Sequence, residues 1–311
     1  APRHPEPHMT TASTHDTDRI DFFDSTLRDG QQTQGVDLSV ADKRALASAL
    51  DRLGIRYIEG GWPGANHTDD AFFAEPPAFE QARLIAFGMT RRPGRSADND
   101  PGLAAVLNAG TDGVCLVGKT WDFHVDVALG LDQGEYVSMI GDTIAHAATR
   151  SAEVMFDAEH FFDGYKHNPA YALDAIGAAY EAGARWIVLC DTNGGTLPHE
   201  IERIVGEVAR RIPGSRLGIH THDDTDNAVA NALAAVRAGV RQVQGTLNGL
   251  GERCGNANLI PIIASLALKT DFDTGLSAAQ LAELTPTSRL LDERLNRTPS
   301  RNAAYVGESA F

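Results

Sequence analysis

From Ile20 onward, short apolar runs rich in β-branched residues alternate with Ala-rich stretches whose apolar positions recur at helical spacing. The runs at 20–26, 56–60, 84–88, 113–117, 153–157, 185–190, 216–221 and 241–245 predict eight strands. Helical periodicity marks 40–53, 169–182, 198–211 and 226–238. Gly54, Gly110, Gly183 and Gly239 each follow a helical run, as a helix-ending glycine should. Pro169 and Pro198 stand where helices begin, a position at which a missing N–H costs nothing. Strands of nearly continuous apolar character between helices imply a parallel sheet covered on both faces, and eight such units predict an α/β fold, a (β/α)8 TIM barrel. A doubly wound sheet is the runner-up, but the Gly-rich dinucleotide turn expected after its first strand is absent.

The two ends of the predicted strands differ. Arg56, Arg83, Arg185, Arg216 and Arg241 stand at strand starts and read as solvated rim charges with snorkelling stems. Chemistry-bearing groups gather at the other end: Arg28 and Asp29, Glu59, Asp157 and Glu159, Asp191 and Thr192, then His220 and His222. That is the active face of such a barrel. The barrel is expected over 19–272, and 273–311, with helices at 277–283 and 287–295, as the truncated start of a C-terminal linker subdomain. Residues 1–18 read as a disordered or tag-derived tail, whose His4, His8 and His15 carry no functional weight.

Composition narrows the class. The 311 residues are 42% hydrophobic and 22% charged, ordinary for a globular enzyme. A net charge of -15 argues against nucleic acid or an anionic membrane as partner. Three widely spaced cysteines without a C-x-x-C make neither a disulfide framework nor a zinc knuckle, and no apolar run suits a membrane span or signal peptide. The expectation is a cytoplasmic enzyme.

Within R-L-G-I-H-T-H, His220 and His222 are two apart on a strand and share a face, which suits a metal; ordinary hydrogen bonding at a strand end is the plainer alternative. Arg28 offers a fork of donors for a carboxylate or oxyanion, and Asp29 can ligate a hard cation, unless the two only form a salt bridge. In the loop G-T-L-N-G-L-G-E-R-C-G-N-A-N, Asn256 either caps the next helix or gives its amide oxygen to a metal, and Cys254 reads as packing. Asp157 and Glu159 share a face, so either could be the catalytic carboxylate.

The stretches D-S-T-L-R-D-G-Q-Q, I-E-G-G-W-P-G-A-N, F-D-A-E-H-F-F-D-G, L-C-D-T-N-G-G-T, H-T-H-D-D-T-D-N-A-V-A-N and N-G-L-G-E-R-C-G-N-A-N-L resemble the 2-isopropylmalate, homocitrate and citramalate synthase family of DRE-TIM metallolyases, most of all its citramalate branch. The resemblance implies Claisen-type condensation of acetyl-CoA with a 2-oxo acid, pyruvate foremost, followed by thioester hydrolysis in amino-acid biosynthesis. It further implies a divalent metal (Mg2+ or Mn2+, with Zn2+ the alternative) on Asp29, His220, His222 and Asn256. Arg28 would be the oxyanion donor, Glu159 the acid/base group, and Thr192 with Asp157 further substrate contacts. A homodimer is implied, and family members continue past Ser309-Ala310-Phe311 into a domain that binds a feedback amino acid. The family usually has Asn-Asp after the second His, so Asp223-Asp224 adds a negative charge expected to disturb the metal's surroundings. Pocket shape near Trp62, Glu59 and Phe161 is expected to select the oxo acid. Competing readings are another oxo acid, acyl-CoA lyase or aldolase chemistry on the same barrel, and a ligand-binding barrel without catalysis.

Overall fold

A computed structural model describes residues 19–310. Eight strands, β1 (Asp21–Asp24), β2 (Tyr57–Gly61), β3 (Arg83–Met89), β4 (Gly113–Lys119), β5 (Glu153–Glu159), β6 (Trp186–Asp191), β7 (Leu217–Thr221) and β8 (Gln242–Gly245), pair in parallel in sequence order. β1 returns to β8 and closes the barrel. The principal helices are α1 (Val40–Leu53), α2 (His67–Ala74), α3 (Pro101–Leu107), α4 (Gln133–Ala148), α5 (Phe161–His167), α6 (Pro169–Glu181), α7 (Pro198–Val208), α8 (Ala228–Arg237), α9 (Leu259–Lys269), α10 (Ala278–Ala282) and α11 (Leu284–Arg294). The punctuation acts as its chemistry dictates. α1 opens on a capping box between Ser39 and Asp42 and ends at Gly54, whose φ of 90° no side chain adopts readily. Pro169 and Pro198 occupy first turns.

The period of two along each strand divides the apolar material into two cores. Outward residues such as Phe22, Ile58, Leu84, Leu116, Phe156, Ile187 and Ile219 pack under the helices. Inward residues Phe23, Tyr57, Ile85, Cys115, Met155, Trp186 and Val188 fill the barrel. The rim arginines behave as expected: Arg185 lies 4.0 Å from the Trp186 ring centroid, and Arg216 donates to the Ala184 and Arg185 carbonyls. Upward along the same inward columns the residues become polar, with Met155 followed by Asp157 and Glu159 on β5.

Beyond the barrel, α11 packs along α1, and Asn248, in the loop after β8, donates to the Ser288 carbonyl and Asp292. Among the described residues no helix is long and apolar enough to cross a membrane. His4, His8 and His15 lie outside the described residues.

Candidate metal and active site

β7 turns the His220 and His222 rings inward, and the turn after β1 carries Arg28 and Asp29 to the same end. The fourth element arrives by backbone pairing: Asp223 N–H donates to Gly255 O and Ala257 N–H to Thr221 O, folding the loop after β8 back so that Asn256 bridges His222. Asn258, not Asn256, caps α9, which leaves the Asn256 amide free for the cluster. Gly251 abuts that amide so closely that a Cβ there would collide with it.

Asp29, His220 and His222 bring ligand atoms within 4.8 Å of one another. His220 Nε2 lies 3.2 Å from Asp29 Oδ2 and 3.3 Å from His222 Nε2. Asn256 Nδ2 donates to Asp29 Oδ2 at 2.5 Å, while its Oδ1 is buried without a partner. Exchanging the amide ends would aim that oxygen at the cluster. Burial and then the neighbouring His220 push His222 down to about 3, so it is a neutral imidazole with a lone pair to offer. Burial opposes ionisation of Asp29, but Arg28 and then the two histidines hold its carboxyl well below the usual range. Two imidazoles, a carboxylate and an amide oxygen suit a borderline or hard divalent cation. Around them stand Asp29, Glu59, Asp157, Glu159 and Glu252 against Arg28, Lys119 and Arg253.

Arg28 is fixed on every side. Its Nε donates to Glu59 Oε2 at 2.7 Å, its Nη1 lies 3.2 Å from Asp29 Oδ1, and its guanidinium carbon is 3.9 Å from the Phe87 ring centroid. Glu59 is wholly buried and also accepts from Ser25; burial raises its carboxyl against the pull of Arg28. Glu59 therefore anchors Arg28 beneath the cavity.

Arg28, Asp29, Asp157, Glu159, Thr192, His220 and His222 all line one cavity of about 260 Å³, with Trp62 and Phe87 as apolar wall. A larger groove of about 740 Å³ runs between α4 and α6 outside the barrel and holds none of these groups. Asn256 closes the cluster of Asp29, His220 and His222 from behind that lining. Thr192 Oγ1 accepts from His160 N–H at 2.8 Å.

Two expectations need correcting. Phe161 does not shape the cavity: it is buried in the outer core against Phe162 and Tyr165, because β5 ends at Glu159 and the chain leaves the barrel axis through His160 at a left-handed φ of 57°. Cys254 is exposed, since it rides the tip of a loop whose backbone pairs through Gly255. Of the Asp223-Asp224 pair, one carboxylate is held by a cation and the other by a backbone donor. Asp224 takes both ends of the Arg253 guanidinium at 2.8 Å, and Asp223 accepts from Ala228 N–H.

Two residues at the site were not singled out from sequence. Lys119, at the end of β4, reaches Glu159 Oε2 at 2.6 Å. Gln244 on β8 accepts from His220 Nδ1 at 2.9 Å and donates to Asp157 Oδ1 at 3.2 Å. The available signal was parity: 119 continues the inward column of 115 and 117, and 244 is level with His220 in the β7–β8 register.

Comparison with known proteins agrees with this geometry. The sequence profile described as HMGL-like matches residues 19–287. An (R)-citramalate synthase of Synechocystis sp. is 49% identical over 299 residues, covering 93% of this chain and 54% of the relative. One from Aquifex aeolicus is 50% identical over 296 residues, covering 94% and 56%. The chain thus spans about half the length of these curated relatives. Among solved structures, a hydroxymethylglutaryl-CoA lyase from Pseudomonas aeruginosa superposes with a TM-score of 0.75 at 20% identity over 90% of this chain and 94% of that one, which shows a shared fold. The chain belongs to the HMGL-like family of (β/α)8 barrels.

Proposed function

We propose that the chain is the catalytic barrel of an acyltransferase that condenses acetyl-CoA with pyruvate and hydrolyses the thioester, giving citramalate for amino-acid biosynthesis. The observation that carries this reading is the buried Asp29, His220, His222 and Asn256 cluster beside an immobilised Arg28, in a chain about half identical to proteins named (R)-citramalate synthase.

Asp29, His220, His222 and Asn256 would hold a divalent cation, Mg2+ or Mn2+ before Zn2+, which when bound supplies Lewis acidity to the oxo acid's carbonyl. The free donors of Arg28 face the cavity and stabilise the alkoxide oxygen as the new carbon–carbon bond forms. Thr192 and Arg28 grip the oxo acid's carboxylate. Burial raises the Asp157 carboxyl against the pull of His220 and Arg28, and the group faces the same substrate. Glu159, held in an ion pair with Lys119, serves the acid/base steps. Trp62 and Phe87 keep water from the developing charge.

Residues 19–272 are the catalytic unit in this reading, and 273–311 begin a linker subdomain of a homodimer. The free thiols fit a cytoplasmic enzyme. The test is release of free CoA from acetyl-CoA across a panel of 2-oxo acids with Mg2+, Mn2+ or a chelator. Metal-dependent release with pyruvate alone is expected. Release confined to a different oxo acid would move the substrate, and cleavage of hydroxyacyl-CoA without condensation would replace the reaction by lyase chemistry.

A further inference from the structure

The two histidines of the cluster are not equivalent. His222 Nδ1 is buried without a hydrogen-bond partner, so nothing behind the ring selects its tautomer. His220 Nδ1 faces Gln244 Oε1 at 2.9 Å. A primary amide can turn either end to a neighbour, and what fixes this one is Asp157: Gln244 Nε2 donates to Asp157 Oδ1 at 3.2 Å. Turning the amide over would set oxygen against oxygen at Asp157 and N–H against N–H at His220. All three side chains are nearly or wholly buried, where an unmade hydrogen bond is costly.

We propose that Gln244, oriented by Asp157, is a positioning residue that presets His220 as the Nδ1–H tautomer. The Nε2 lone pair of His220 then points into the cluster, where Asn256 Nδ2 at 3.3 Å is a donor to it and Asp29 Oδ2 at 3.2 Å is the acceptor that competes for an Nε2–H. The inference rests on the cation site proposed above. Second-layer partners of this kind typically alter metal affinity by about 10- to 100-fold.

The test uses the full chain and two variants. Gln244→Met keeps length and burial but accepts nothing from Nδ1–H; Gln244→Glu, made together with Asp157→Asn so that an amide rather than a second carboxylate faces it, restores an acceptor oxygen. Mn2+ titration followed by the electron paramagnetic resonance of free Mn2+ should show affinity about 10- to 100-fold weaker in Q244M and within a few-fold of wild type in Q244E/D157N. Nitrogen chemical shifts of 15N-histidine-labelled, metal-free protein at alkaline pH should show the Nδ1–H tautomer at His220 in wild type and Q244E/D157N, and Nε2–H in Q244M. A residue that only filled space would change the melting temperature and leave the tautomer alone. A folded Q244M with wild-type affinity or an unchanged tautomer overturns the proposal. Should Q244M fail to fold, the wild-type spectrum decides, since an Nε2–H tautomer there overturns the proposal equally. If wild type binds no Mn2+, the cation reading falls, and the metal-free tautomer measurement still judges Gln244 separately.

Discussion

Arg28 holds a charge above a carboxylate that would otherwise be buried alone, so its substitution has two separable effects. Arg28→Ala removes the proposed oxyanion donor and strands Glu59; Arg28→Lys keeps the charge and loses the fork. The expected outcome is a fall in kcat of about 10²- to 10³-fold for both, with a lowered melting temperature only in the alanine variant. Steady-state CoA release and thermal unfolding measure the two effects independently, and near wild-type turnover in either variant would remove Arg28 from the oxyanion role. At this scale the sequence was most legible where chemistry is spelled within a few residues: His220-x-His222 needs only strand parity to converge, and Arg28-Asp29 share the turn after β1. Lys119 and Gln244 escaped because their partners, Glu159 and His220, come from neighbouring strands 40 and 24 residues away.

All eight strands were visible as apolar runs, but β4 and β5 run two residues beyond the expected 117 and 157. Hydrophobicity stops there while strand geometry does not, since the last inward positions face the cavity and are polar. The turn after β2 is a harder case. Gly61 at φ 144° leaves room for the Asp69 carboxylate, which accepts from Trp62 N–H at 2.8 Å, from Asn66 Nδ2 at 3.0 Å and from the fully buried Lys43 of α1. This network aims Trp62 at the cavity, and nothing local in the sequence announces it. Asp69→Ala leaves Lys43 buried and unpaired, a loss of about 3–5 kcal/mol. Denaturant unfolding should show it, and Lys43→Met placed in the D69A background should recover much of it. No recovery in the double variant would mean that the backbone contacts of Asp69, rather than the charge, carry the cost.

For the whole molecule, one buried carboxyl sets a pH dependence against the usual direction. Asp24 ends β1, accepts from Thr26 N–H and Oγ1–H at 2.9 Å each, and through Thr26 Oγ1 ties β1 to Leu247 beyond β8. Burial raises its carboxyl from 3.8 to about 7. Between those values the folded chain keeps a proton that the unfolded chain has released, so this group makes stability fall as pH rises, by roughly 4 kcal/mol over the window. Asp24→Asn should carry a fixed offset but lack that slope, so its melting temperature should gain on wild type from pH 4 to 7 and run parallel above. A constant difference across the range would place Asp24 elsewhere in the titration. The closed strand order followed from eight apolar runs and the helical shell only at α1, α6, α7 and α8, whereas the packing of α11 on the loop after β8 depends on tertiary contacts from Asn248 that no local pattern encodes. That same loop bears Cys254. Burial pushes the Cys115 and Cys190 thiols well above their ordinary range, which leaves Cys254 as the thiol open to solvent. Oxidative damage is thereby channelled to a point two residues from Asn256, making the proposed cation's amide ligand the first part of the active site that peroxide or an alkylating drug would disturb.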